Sequence, residues 1–60
     1  MRYNITPTAR GYEIHATKNG RNIYLQSIYK GAAKWTLDYL YSRKYATEAA
    51  ARKAIETIKA

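Results

Sequence analysis

Apolar and polar residues alternate through the first half of the chain with the two-residue period of a strand. In YEIHATKNGRNIYLQS, Tyr12 to Ser27, two such runs flank Asn19-Gly20. A two-residue type I′ hairpin turn needs positive φ at both central positions, and Asn-Gly tolerates that best. This turn sets the expected register, with Lys18 opposite Arg21. Ala16 then faces Ile23, Ile14 faces Leu25 and Tyr12 faces Ser27 on one side of the sheet. Thr17 with Asn22, His15 with Tyr24, and Glu13 with Gln26 lie on the other. One face is apolar and one polar, the pattern of an antiparallel sheet covered on a single side. Arg2–Thr6 repeats the code, with Tyr3 and Ile5 inward and Arg2, Asn4 and Thr6 outward. Pro7 has no N–H to give a ladder, so it ends this strand or marks an edge.

The run KWTLDYLY fits two patterns. Alternation puts Trp35, Leu37, Tyr39 and Tyr41 on one face and Thr36 and Asp38 on the other, with Leu40 the exception. A helical stripe through Ala33, Leu37, Leu40 and Tyr41 also fits, with Lys34 and Asp38 paired at i,i+4. Trp, Thr and Tyr favour strands, and Lys30-Gly31 supplies a preceding turn. A strand over 35–41 is the expectation, with a helix as the alternative for 32–41.

The last element reads as a helix. Thr47 is a natural N-cap, and Glu48 lies in the first turn where the helix dipole favours an acid. Ala51, Ala54, Ile55 and Ile58 form one apolar stripe. Glu48–Arg52 and Arg52–Glu56 are i,i+4 pairs on the other side. A stripe this thin lets the helix lie close to the sheet, so the strands must supply the bulk of the core: Tyr3, Ile5, Tyr12, Ile14, Ile23, Leu25, Trp35, Leu37 and Tyr39. The expected fold is α+β: a three- or four-stranded antiparallel sheet with one C-terminal helix packed on one face (ββββα), a single domain over 1–60.

Length narrows the picture. A chain of 60 residues buries only about 60% of the surface its unfolded form exposes, which leaves a thin margin of stability. With no Cys and a single His, neither a disulfide nor a zinc set is available, and no metal or cofactor is expected. No stretch approaches the roughly 20 apolar residues of a membrane span. The polar MRYNITPTAR start has no apolar signal region, so the expected setting is cytoplasmic and Asn4-Ile5-Thr6 is read as a chance sequon. Charge is the strongest global feature. Eleven Lys and Arg stand against four Asp and Glu, a net +7, a balance that attracts DNA, RNA or an acidic protein surface.

Catalysis finds little support. There is no Cys nucleophile, no Ser beside the single His, and no useful carboxylate pair. Glu13 and His15 share a strand face without a third group. Gly11, Gly20 and Gly31 are isolated turn residues, not a phosphate-cradling loop. The backbone N–H groups at Thr47–Ala49 face Glu48, which already answers the helix dipole. A non-enzymatic binding module is expected.

The polar sheet face carries side chains suited to reading base edges. Arg2, Asn4, Thr6, His15, Thr17, Asn22, Tyr24 and Gln26 lie there, with Glu13 and Asp38 the only acids. Arg, Asn and Gln are the usual readers of base edges, and a β-ribbon enters the DNA major groove. Arg10, Lys18, Arg21, Lys30, Lys34, Arg43 and Lys44 lie mostly in turns, where cations clamp phosphates. DNA is the expected partner ahead of RNA.

GYEIHATKNGRNIYLQS followed by YATEAAARKAI resembles the sheet-plus-helix arm-binding domains of tyrosine-recombinase integrases. It is also similar to plant ethylene-response-type DNA-binding domains. The resemblance spans about half the chain and implies a sheet lying in the major groove with a helix bracing it from behind. The sheet positions it matches are His15, Thr17, Asn22, Tyr24 and Gln26. It departs at IYKGAAKWTLDYLYSRK, which those domains lack. The C-terminal YATEAAARKAIETIKA is also similar to a small bacterial domain family of unknown function.

A second expectation comes from the aromatics. Seven Tyr and one Trp exceed what so small a core can hold, with Tyr24, Tyr29, Tyr41 and Tyr45 in surplus, and such residues are enriched at interfaces. This reading is a protein-binding or inhibitory module of a mobile element, working through a Tyr-rich surface as a homodimer paired along an edge strand such as 35–41.

Overall fold

Two tight turns fold the first half of the chain back on itself. Asn19 and Gly20 have φ of 53° and 77°, and Lys30 and Gly31 have 52° and 83°, the positive-φ pairs that two-residue hairpin turns need. A computed structural model describes residues 2–58. The strands are β1 (Tyr3–Thr8), β2 (Gly11–Lys18), β3 (Arg21–Tyr29) and β4 (Ala32–Thr36), joined antiparallel in the order β1-β2-β3-β4. A 3-10 turn, η1 (Tyr39–Tyr41), and one helix, α1 (Glu48–Glu56), complete the chain. The ββββα architecture is the one the pattern implies. Lys18 pairs with Arg21, and Ala16 with Ile23. Pro7 lies within β1, opposite Tyr12, on an edge strand where its missing N–H breaks no outer ladder.

Thr47 caps α1 by accepting a 3.0 Å hydrogen bond from the Ala50 N–H, and Glu48 pairs with Arg52 at 3.3 Å. The helix packs against β1 and β2. Ile14, Ala16, Ile23, Leu25 and Ala51 are buried. Tyr3, Ile5, Tyr12, Ile28, Ala33, Trp35, Tyr45, Ala54, Ile55 and Ile58 pack around them. Tyr3 and Trp35 come from opposite edge strands, yet their rings stack at 5.7 Å and 6°. Ala16, cross-strand to both Tyr3 and Ile23, offers only a methyl between them and leaves room for this closure.

The second half of KWTLDYLY departs from the expected strand. β4 ends at Thr36, whose hydroxyl accepts the Asp38 N–H at 3.2 Å. Asp38 in turn caps η1, its carboxylate accepting the Leu40 N–H at 2.9 Å. Local side-chain acceptors therefore outcompete the ladder. Leu37 and Tyr39, expected in the core, are 64% and 59% exposed, and Tyr41 is exposed as well. Ile28 and Ala33 fill that part of the core, because a bulge between Leu25 and Ser27 resets the facing of β3.

The hairpin register also stops short of the expectation. β2 and β3 pair only from Lys18–Arg21 to His15–Tyr24, so Tyr12 does not face Ser27 in the ladder. Beyond that point the strands splay and the segment 42–45 fills the gap. The Arg43 N–H donates to the Leu25 carbonyl at 2.8 Å. Tyr12 and Tyr45 exchange both backbone hydrogen bonds at 2.8 Å. These contacts satisfy groups that the splayed strands would otherwise leave unpaired.

Candidate nucleic-acid interface

The face of the sheet opposite α1 is built by alternation. β1 contributes Asn4 and Thr6, β2 contributes Glu13, His15 and Thr17, and β3 contributes Asn22 and Tyr24. Neighbouring side chains on this face are joined to one another. The Thr6 hydroxyl lies 2.7 Å from His15 Nε2, and the Thr17 hydroxyl donates to Asn22 Oδ1 at 3.3 Å. The rings of His15 and Tyr24 sit 6.2 Å apart. His15 Nδ1 is shielded and has no hydrogen-bond partner among the described residues.

This face is not uncovered, as the pattern alone implied. To pass from the β4 edge into the gap between β2 and β3, the chain must cross β3, and it crosses on the polar side. There the Tyr39 ring meets Tyr24 edge-on at 6.5 Å. Below the crossing, Glu13 is buried, at 8% exposure, and holds the segment down. It accepts a 3.1 Å hydrogen bond from the Ser42 hydroxyl and pairs with Lys44 at 3.4 Å. Lys44 also donates to the Ser42 hydroxyl and, at 3.2 Å, to the Tyr39 carbonyl. A buried charge needs such partners, so Lys44 is committed to the fold and is withdrawn from the expected phosphate contacts.

The expected site residues divide accordingly. Arg2, Asn4, Thr17 and Asn22 are exposed, while His15, Tyr24 and Gln26 are half-buried. Gln26 sits at the bulge, outside a regular reading row. Of the expected cations, Arg10, Lys18, Arg21, Lys30, Lys34 and Arg43 are exposed. Lys30 lies over the ring of Tyr29, and Arg43 over that of Tyr45. Arg2, Lys18 and Arg21 gather at the tip of the β2–β3 hairpin, whereas Arg10 and Lys30 occupy turns at the other end of the strands.

The acids are distributed differently. Glu13 is consumed by Lys44, and Asp38 caps η1. Glu48 and Glu56 lie on α1, balanced by Arg52 and Lys53. Among the described residues the helix is thus close to neutral, and the sheet and its turns carry the positive charge. Alternation did not reveal the knuckle formed by Leu37, Tyr39, Leu40 and Tyr41, all exposed. Its one trace in the sequence is Leu40, the residue that fitted neither sheet face. Beside it, a cleft of about 370 Å³ lies between the Thr8–Arg10 turn and Tyr39–Leu40, with Lys44 and Glu13 in its lining.

Among the described residues, no three His, Cys, Asp or Glu side chains cluster to hold a metal, and no helix is long and apolar enough to cross a membrane. No family model, curated protein or solved structure matches the chain.

Proposed function

We propose that the chain is a non-enzymatic nucleic-acid-binding module of the cytoplasm, acting on DNA ahead of RNA. Its surface is the hairpin-tip half of the polar sheet face. Arg2, Asn4, Thr17 and Asn22 face the bases, and Lys18 and Arg21 meet phosphates. The observation that carries this reading is the separation of charge: a sheet side whose exposed cations meet no free acid except the capping Asp38, behind a helix that is close to neutral. A polyanion would approach that side and be steered to it. This reading keeps the bracing arrangement that the arm-binding and ethylene-response resemblance implies, but shifts contact toward the tip because η1 occupies the other part of the face. Fluorescence anisotropy with labelled oligonucleotides tests it. The double variant Lys18→Ala/Arg21→Ala should weaken binding to every sequence alike. Unchanged affinity in that variant would place the contact elsewhere.

A second reading is favoured by one observation. Leu37, Tyr39, Leu40 and Tyr41 expose an apolar surface on a chain with few buried side chains, and such patches mark protein interfaces. In this reading the chain is a protein-binding or inhibitory module of a mobile element and forms a homodimer. Light scattering over a concentration series tests it, and a strict monomer at all concentrations counts against the dimer.

A further inference from the structure

The knuckle's backbone is anchored at several points although most of its side-chain surface is left exposed. Asp38 caps it, Lys44 binds the Tyr39 carbonyl, and Tyr39 rests edge-on against Tyr24. None of the side chains of η1 is buried, and Leu37 just before it is exposed. An anchored backbone beneath exposed apolar groups lowers what a ligand must spend on ordering the segment.

The surroundings say which ligand. Arg10 lines the cleft against Tyr39 and Leu40, and the exposed Arg43 lies two residues beyond Tyr41. Glu13 and Lys44 in the cleft offset one another, and Asp38, which caps η1 through the Leu40 N–H, is the one exposed acid beside the knuckle. The patch therefore presents aromatic and aliphatic surface beside two arginines, Arg10 and Arg43, against the single carboxylate of Asp38. A second copy of this chain would bring its own +7 against those cations. A nucleotide brings a phosphate for Arg10 and a flat base for a tyrosine ring. In a duplex those base faces are hidden in the stack. The knuckle, standing above β3 on the polar side, also prevents the sheet from lying flat in a major groove.

We infer that the knuckle seats unpaired bases, so that the chain binds single-stranded nucleic acid in preference to duplex. The inference rests on the nucleic-acid reading above, assigns its ligand class and extends the contact from the hairpin tip to η1 and the Thr8–Arg10 turn. Cationic grooves interleaved with exposed aromatics are the usual means of holding single strands, and loss of one stacking ring weakens binding by roughly tenfold.

The test uses the full chain and one mixed-sequence DNA oligonucleotide, offered single-stranded and as duplex at the same low salt. The single strand should bind at least about tenfold more tightly. Tyr41→Ala and Tyr39→Ala/Tyr41→Ala should weaken single-strand binding by roughly tenfold or more while leaving duplex binding unchanged. An oligonucleotide carrying 2-aminopurine should report base contact by quenching that the variants lose. Tyr41→Ala keeps the test sound should Tyr39→Ala disturb the Tyr24 contact. Equal affinity for both forms, with variants that bind as the parent does, overturns the inference and leaves the nucleic-acid reading standing. Binding of neither form at low salt overturns both. Variants that change only the mass seen by light scattering would make the knuckle a self-association surface and also overturn the inference.

Discussion

Gly11→Ala should be the most damaging small change in the chain. Gly11 has a φ of 131°, where L side chains rarely sit, and an added Cβ would stand 2.5 Å from the Tyr45 carbonyl oxygen. That oxygen cannot retreat cheaply, since it accepts the Tyr12 N–H at 2.8 Å. The backbone strain alone is worth about 1–3 kcal/mol. Pushing the Tyr45 carbonyl aside adds about 1 kcal/mol for the Tyr12–Tyr45 hydrogen bond that it accepts. The expected destabilisation is about 2–4 kcal/mol, against a total of roughly 3–9 kcal/mol for a domain of this size. The melting temperature should fall on the order of 10–30 °C. Urea and thermal unfolding followed through Trp35 fluorescence measure it, and Gly20→Ala is the control. Gly20 also has positive φ, but a Cβ there meets nothing within 4 Å, so only the strain contribution should appear. A loss in Gly11→Ala below roughly 0.5 kcal/mol, within the range of ordinary surface changes, would refute the inserted segment as described.

Glu13→Gln should destabilise by about 1–3 kcal/mol in urea unfolding, because Lys44 keeps its charge in a half-buried site without its carboxylate. Thr47→Ala should lower stability by about 1 kcal/mol, the worth of an N-cap, and reduce helicity by circular dichroism. Asn22→Ala should alter sequence preference in oligonucleotide competition without changing the salt dependence, as expected of a base-edge contact.

The elements that were legible in the sequence are those whose determinants are local. Asn19-Gly20 sets its own turn, and strand alternation around it fixes which side chains face α1. Thr47 and Glu48 mark the helix start, and Ala51, Ala54, Ile55 and Ile58 its buried stripe. The segment 37–45 was not legible, because its path is decided at a distance. Leu37, Tyr39 and Tyr41 satisfy strand alternation perfectly well. What removes them from the sheet is the Thr36–Asp38–Leu40 capping chain, together with a gap that exists only once β3 has bulged and β2 has splayed. The candidate site shares this division. Thr17 and Asn22 are paired and exposed as their register implied. Tyr24 is half-covered by a ring fifteen residues later in the chain, and Lys44 is claimed by a glutamate on β2.

The central claim, that this surface engages the phosphates of a nucleic acid, is tested most directly by the salt dependence of binding. Affinity for a labelled oligonucleotide would be measured by anisotropy from low to moderate salt. Displaced counterions make log K fall linearly with log salt, with a slope of about −0.7 for each phosphate contacted on a single strand and −0.9 on duplex. The exposed cations of the sheet side predict a slope of roughly −3 to −5 and a loss of orders of magnitude in affinity across that range. Absence of binding at low salt, or binding with a slope near zero, would contradict the account.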